Sequence, residues 1–132
     1  MKMIADTNVL LRLVVEDDAR QTHAAVEAME KAETVVIGRH ALCELAWVLR
    51  SRYGVSKANI AAAIRMFCEM EKAEVDQAAV DAGLAMMEAG ADFADGVIAY
   101  EGRWLGGETF VSFDHKAVAA LEQAGKRARL LG

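Results

Sequence analysis

Short apolar runs alternate along this chain with longer segments in which apolar residues recur every three or four positions. The runs at 34–37 and 109–113 are too short for helices and predict buried strands, whereas 18–31 and 39–54 carry the periodicity of amphipathic helices. Strands that alternate with helices indicate a parallel sheet covered on both faces. We therefore expect an α/β fold, a three-layer α/β/α sandwich with a parallel sheet of four to five strands.

The remaining elements follow from the same periodicity together with capping and stop residues. The helix at 39–54 ends in basic residues and stops at Gly54, and Ser56 is expected to begin the next one. The first predicted strand ends at Asp6, and the other four lie at 34–37, near 74–75, at 109–113 and at 129–131. The predicted helices cover about 9–15, 18–31, 39–54, 56–71, 76 or 77 to 90, 92–102 and 114–125.

Length and composition favour one domain that spans residues 1–132. A chain of 132 residues can bury a sizeable core, and its apolar runs are too short for a signal peptide or a membrane helix. Cys43 and Cys68 lie in apolar helical segments, as expected of reduced thiols in a cytoplasmic protein. The net charge of −5 argues against a broad basic surface that wraps nucleic acid. Individual cations could still contact phosphates, although such residues more commonly form solvated helix faces: Arg12, Arg39, Arg50, Arg52, Lys57 and Lys116.

Four acidic side chains occupy positions at which an α/β fold can perform chemistry. Asp6 and Asp114 each follow an apolar strand and precede a helix, and Asp95 lies in the first turn of a helix. Parallel sheets open into a crevice at the carboxyl ends of their strands, so these acids can converge there. Glu44 lies in the largely apolar segment ALCELAW, where a charge is costly unless it is paired or bound to a cation.

Each acid also has a purely structural interpretation. Asp6, Asp92 and Asp114 stand where a helix N-cap is expected, and the i,i+3 spacing of Asp92 and Asp95 suits an acidic capping box. Glu44 could instead belong to a surface stripe that it shares with Arg39, Arg52 or His40. His23 and His40 are expected at the surface or in caps, whereas His115, next to Asp114, could contact a substrate or support that acid.

Convergence of the four acids would require protonation or a cation to relieve their repulsion. Four carboxylates form six repulsive pairs, each costing about 3 kcal/mol at ~6 Å and an effective dielectric of ~20. That sum is comparable with the ~5–15 kcal/mol that stabilises a whole domain. An all-oxygen site favours Mg²⁺ or Mn²⁺ over zinc, and such ions support in-line displacement at phosphorus. Nuclease chemistry is therefore the leading hypothesis.

Four ordered motifs, IADTNVL, LCELAWVLRSRYG, DFADGVIAY and FVSFDHKAVAAL, resemble those of PIN-domain proteins, specifically VapC-type toxins of bacterial toxin-antitoxin pairs. The resemblance implies an endoribonuclease that depends on Mg²⁺ or Mn²⁺, forms a homodimer and is inhibited by a cognate VapB-type antitoxin. It also implies that Asp6, Glu44, Asp95 and Asp114 are the metal-binding, catalytic acids. Thr7, Asn8 and Ser112 would be polar neighbours that orient ligands or water, and Asp92 an auxiliary acid or a cap.

Two positions depart from the family pattern. Ser112 stands where Thr is common before Phe-Asp, and Ser keeps the hydroxyl. Gly96 stands where Ala commonly follows the third acid, and its low helix propensity is expected to loosen the placement of Asp95.

Other functional classes fit the acids less well. A receiver domain needs a pair of acids at the first strand and a Lys at the end of a late strand, but this chain has one Asp there and Lys116 within a helix. A haloacid-dehalogenase-type phosphatase needs a second Asp two residues after the first, where this chain has Asn8. The remaining alternative is a non-catalytic PIN-like module that binds a protein partner and keeps a metal-binding but inactive pocket.

Overall fold

The computed structural model describes residues 1–132, which form two compact units, 1–76 and 77–132. The first unit contains a three-stranded parallel sheet in the order β1-β2-β3 and four helices. Its elements are β1 (Lys2–Ile4), α1 (Thr7–Val14), α2 (Ala19–Lys31), β2 (Thr34–Val36), α3 (Arg39–Ser51), α4 (Lys57–Glu69) and β3 (Ala73–Glu74).

Capping side chains begin α2 and α4 at the expected places. Asp18 Oδ1 accepts a hydrogen bond from the Gln21 amide at 3.1 Å at the start of α2, and Ser56 Oγ accepts one from Asn59 at 3.2 Å at the start of α4. These bonds satisfy amides that lack an intrahelical partner. The helices therefore start where the sequence places their caps.

Helices α1 and α3 run side by side in the same direction. Each follows a strand of the parallel pair β1 and β2, in which Ile4 is in register with Val36. Thr7 near the start of α1 contacts Glu44 of α3, and Asp17 after α1 accepts a hydrogen bond from Tyr53 beyond the end of α3 at 3.1 Å. Arg12 of α1 also pairs with Asp17. This arrangement places the first turn of α1 beside the first half of α3.

The second unit contains a two-stranded parallel sheet and three helices. Its elements are α5 (Gln77–Glu88), α6 (Phe93–Trp104), β4 (Phe110–Ser112), α7 (His115–Gln123) and β5 (Ala128–Leu130). Its small-residue core is built from Met86, Ala91, Ala99, Ala117, Ala120 and Leu121, with Phe110 and Ala128 packed against it. None of the seven helices in the chain has the length and apolar character needed to cross a membrane.

Helices α5 and α6 approach each other closely through two glycines. A Cβ added at Gly96 would lie 2.3 Å from the Ala82 carbonyl oxygen and 2.8 Å from Gly83 Cα. One added at Gly83 would lie 2.5 Å from the ring of Phe93. The expectation that Gly96 loosens the placement of Asp95 is therefore wrong, because the missing side chain allows the first turns of α6 to pack directly on the backbone of α5.

All five predicted strands and all seven predicted helices form, and every strand pair is parallel, which confirms the α/β class. The strands are divided between sheets of three and two, whereas one sheet of four to five strands was predicted. Each strand pairs with its neighbour in sequence, and strands of two or three residues offer few ladder bonds. The assignment of residues 1–132 to a single domain stays a prediction.

Several predicted helix ends differ by two or three residues from the observed ends, and α6 is the helix that runs past its predicted end. Helix α6 continues through Gly102 to Trp104. It ends where Gly106 adopts φ +100°, with the Gly107 amide donating to the Gly102 carbonyl at 2.8 Å. This pattern is a Schellman motif, which needs a left-handed residue just beyond the helix. Gly106, rather than Gly102, is therefore the stop signal.

Candidate metal centre

Three acidic side chains of the second unit converge. Asp92, Asp95 and Asp114 each offer a carboxylate oxygen, and these three atoms lie within 4.8 Å of one another. Asp92 is exposed, and the other two are half-buried. The cluster joins the starts of α6 and α7, two elements that the sequence predicted would carry acids.

The start of α6 sets the positions of Asp92 and Asp95. Helix α5 ends in a Schellman motif at Gly90, which has φ +91°, and the Ala91 amide donates to Met86 O at 3.0 Å. The chain then reverses into Asp92, whose carbonyl accepts a hydrogen bond from the Asp95 amide at 3.1 Å. Asp92 occupies the N-cap position, but its side chain makes no capping hydrogen bond. Its carboxylate lies in the acidic cluster instead, so the interpretation of Asp92 as a pure cap is wrong.

Asp114 is both a helix cap and a member of the cluster. Its Oδ1 accepts hydrogen bonds from the Lys116 amide at 2.9 Å and the Ala117 amide at 3.1 Å, which begins α7. Its own amide donates to Ser112 Oγ at 3.0 Å. Three hydrogen bonds thus hold Asp114 at the end of β4, and the Ser112 hydroxyl supports its backbone.

A second group of predicted residues lies in the first unit. Asp6 caps α1, and its Oδ1 accepts a hydrogen bond from the Thr7 amide at 2.8 Å. Thr7 is buried, and its hydroxyl donates to Glu44 Oε1 at 3.2 Å. Asn8 is exposed in the first turn of α1. Thr7 therefore links the end of β1 to the acid on α3.

Glu44 lies on the exposed face of α3, so the prediction of an apolar environment is wrong. Its side chain is 53% exposed, and the apolar neighbours Leu42, Leu45 and Ala46 are buried on other faces of the helix. Successive helical residues are turned by about 100°, which separates Glu44 from its sequence neighbours. Glu44 Oε1 also lies 3.1 Å from His40 Nε2, as the surface-stripe alternative anticipated for His40.

The cluster of Asp92, Asp95 and Asp114 has the donor chemistry of a hard-cation site. Two carboxylates 4.8 Å apart repel each other by about 3.5 kcal/mol at an effective dielectric of ~20, and by less where solvent screens them. Asp92 and Asp95 lie at the N-terminal end of α6 and Asp114 at that of α7, and the partial positive charge at each end offsets part of the repulsion. Their all-oxygen donor set fits Mg²⁺ or Mn²⁺.

A profile of the PIN domain matches residues 3–122, which include every predicted site residue. The chain belongs to the PIN domain family. No curated protein matches this PIN domain in a sequence search. Among solved structures it is similar to the Mycobacterium tuberculosis toxin VapC20, described as cleaving the sarcin-ricin loop. The two are 25% identical, the match covers 90% of this chain and 95% of that chain, and the TM-score is 0.44.

In this PIN domain, the contact between His40 and Glu44 was predicted only as one of three alternatives for a surface stripe. The i,i+4 spacing of His40 and Glu44 is the signal that favours this partner over Arg39 and Arg52.

Proposed function

We propose that this PIN domain is a metal-dependent endoribonuclease that hydrolyses RNA phosphodiester bonds, and that it is a VapC-type toxin. The observation that carries the proposal is the convergence of the Asp92, Asp95 and Asp114 carboxylate oxygens within 4.8 Å. Membership of the PIN domain family and the four motifs quoted above support it.

Asp6, Glu44, Asp95 and Asp114 are the proposed metal-binding and catalytic acids, and the ion is Mg²⁺ or Mn²⁺. Asp92, predicted as auxiliary, supplies one of the three clustered oxygens and is proposed to join them. When bound, the ion would supply an activated water and stabilise charge on the phosphate during in-line displacement.

The protein's own residues would prepare the acids for this work. The two backbone amides that donate to Asp114 Oδ1 fix the rotation of that carboxylate before any ligand arrives. Ser112 holds the Asp114 backbone, and Thr7 holds Glu44 Oε1. Acids whose orientation is already fixed lose less conformational entropy when they bind an ion.

The proposed partners are an RNA substrate, a cognate VapB-type antitoxin and a second copy of the chain. The VapC-type resemblance supports these partners. The resemblance and the composition also support a cytoplasmic location and a single domain of residues 1–132.

The second candidate is a non-catalytic protein-binding module. It is favoured by large apolar side chains that are strongly exposed within residues 104–113, namely Trp104 at 77%, Leu105 at 84% and Phe113 at 74%. Exposed apolar residues of this kind mark interaction surfaces. A toxin that is held by an antitoxin would need such a surface too, so turnover separates the two candidates.

The deciding experiment is RNA cleavage by the purified protein, freed of any copurified antitoxin. Cleavage of total bacterial RNA is measured with Mg²⁺ or Mn²⁺ and with EDTA, for the wild type, Asp95→Asn and Asp81→Asn. Asp81 is an exposed acid of α5 that accepts a hydrogen bond only from Gln77, which makes Asp81→Asn a matched control.

The nuclease proposal requires metal-dependent cleavage that Asp95→Asn loses and Asp81→Asn keeps. If the folded, metal-supplemented wild type does not cleave RNA, the nuclease proposal fails and the non-catalytic module becomes the proposed function.

A further inference from the structure

Two side chains contact Glu44, and both contact the same oxygen. The Thr7 hydroxyl donates to Oε1 at 3.2 Å, and His40 Nε2 lies 3.1 Å from Oε1. Thr7 comes from the first turn of α1, and His40 lies one helical turn before Glu44 on α3. The carboxylate is therefore approached from two elements through Oε1, while Oε2 lies outside both contacts.

Fold stability alone gives little reason for the contact with His40. The His40 side chain is 90% exposed and that of Glu44 is 53% exposed. Exposed pairs of this kind contribute little to the stability of the fold, because both partners remain solvated. Immobilising a free Glu side chain costs conformational entropy. Because two contacts on Oε1 already restrict the Glu44 side chain, it loses less conformational entropy when its carboxylate binds a ligand.

We propose that His40 is a positioning residue for Glu44. The imidazole beside Oε1 and the Thr7 hydroxyl that donates to it together restrict the rotation of the carboxylate, which would leave Oε2 accessible to an ion. The inference rests on the proposed function, in which Glu44 is a metal ligand. Groups that orient a metal ligand in this way typically change metal affinity or activity by 10- to 100-fold when they are removed.

The chain contains a matched pair that separates positioning from helix stabilisation. His23 and Glu27 of α2 have the same residue types and the same i,i+4 spacing, with Nε2 3.9 Å from Oε2. Their exposures, 83% and 50%, resemble those of His40 and Glu44. Neither residue is among the proposed site residues. Loss of a generic His–Glu helix pair would therefore affect His23 and His40 variants alike.

The test measures Mn²⁺ affinity by EPR and the kcat and KM of RNA cleavage for the wild type, His40→Ala, His40→Gln and His23→Ala. His40→Ala should weaken Mn²⁺ binding by about tenfold and lower kcat at limiting Mn²⁺, with little change in the KM for RNA. His40→Gln should recover part of both losses, because the glutamine amide can donate to Glu44 from a similar position. His23→Ala should match the wild type.

Three results would overturn the role of His40. One is a Mn²⁺ affinity for His40→Ala equal to that of His23→Ala. Another is a rise in the KM for RNA alone, which would make His40 an RNA contact. The third is a pulsed-EPR signal of an imidazole nitrogen bound directly to Mn²⁺, which would make it a ligand. If the wild type itself neither binds Mn²⁺ nor cleaves RNA, the proposed function fails and this inference falls with it.

Discussion

The substitution Gly96→Ala places a methyl group where α5 and α6 leave no room. The added Cβ would lie 2.3 Å from Ala82 O, 2.7 Å from Ala82 C and 2.8 Å from Gly83 Cα. All three atoms belong to the backbone of α5, so no side-chain rotation relieves the overlap. The helices must separate, and the first turn of α6 carries Asp95 with it.

Two opposing terms decide the sign of the stability change. Replacement of Gly by Ala inside a helix gains about 1 kcal/mol from helix propensity. Overpacking of a tight contact costs about 1–3 kcal/mol, and more when the backbone has to move. Because the overlap here is with backbone atoms, we take the upper end of that range and expect Gly96→Ala to lower the free energy of unfolding by about 2 kcal/mol.

Gly102→Ala provides the matched control on the same helix. A Cβ at Gly102 meets no atom within 4 Å, so only the propensity gain remains and we expect stabilisation by about 0.5–1 kcal/mol. Urea denaturation followed by circular dichroism measures both variants. If Gly96→Ala proves as stable as the wild type or more stable, the close packing of α5 on α6 is refuted.

Three other substitutions separate structural from chemical roles. Asp114→Asn should keep its N-cap, with a free energy of unfolding within about 0.5 kcal/mol of the wild type, but lose Mn²⁺ binding. Asp114→Ala should lose Mn²⁺ binding and also the cap, which lowers the free energy of unfolding by about 1 kcal/mol. Denaturation and Mn²⁺ titration measure both effects, and equal stability of the two variants would contradict the capping role of Asp114. Thr7→Val should weaken Mn²⁺ binding several-fold while changing stability by less than about 1 kcal/mol, because the half-exposed Glu44 oxygen regains water; an unchanged Mn²⁺ affinity would exclude a role for the Thr7 hydroxyl.

Much of the fold could be predicted from sequence because the signals for helices and strands are local. The cap at Ser56 and the short apolar run at 34–37 specify their elements without distant partners. Strand pairing is not local, and a run such as 110–112 carries no mark of which strand it will join. The division into sheets of three and two strands was therefore beyond pattern reasoning.

The site was predicted unevenly for similar reasons. The sequence identifies Asp92, Asp95 and Asp114 as acids at helix starts, and the structure brings these three together. It does not show that Glu44 faces solvent, because its apolar neighbours lie close in sequence but on other faces of α3. The contact between Gly96 and the Ala82 backbone has no sequence signal, because it depends on how closely two helices pack.

We propose that Asp92, Asp95 and Asp114, together with Asp6 and Glu44, hold the divalent ion on which RNA cleavage depends. The most direct measurement titrates Mn²⁺ and records, in the same samples, bound Mn²⁺ by EPR and the rate of RNA cleavage, for the wild type and Asp95→Asn. We predict that binding and cleavage rise together in the wild type and that Asp95→Asn loses both. The proposed metal-dependent cleavage would be contradicted if Asp95→Asn still cleaves RNA. It would also be contradicted if the wild type is saturated with Mn²⁺ and does not cleave RNA.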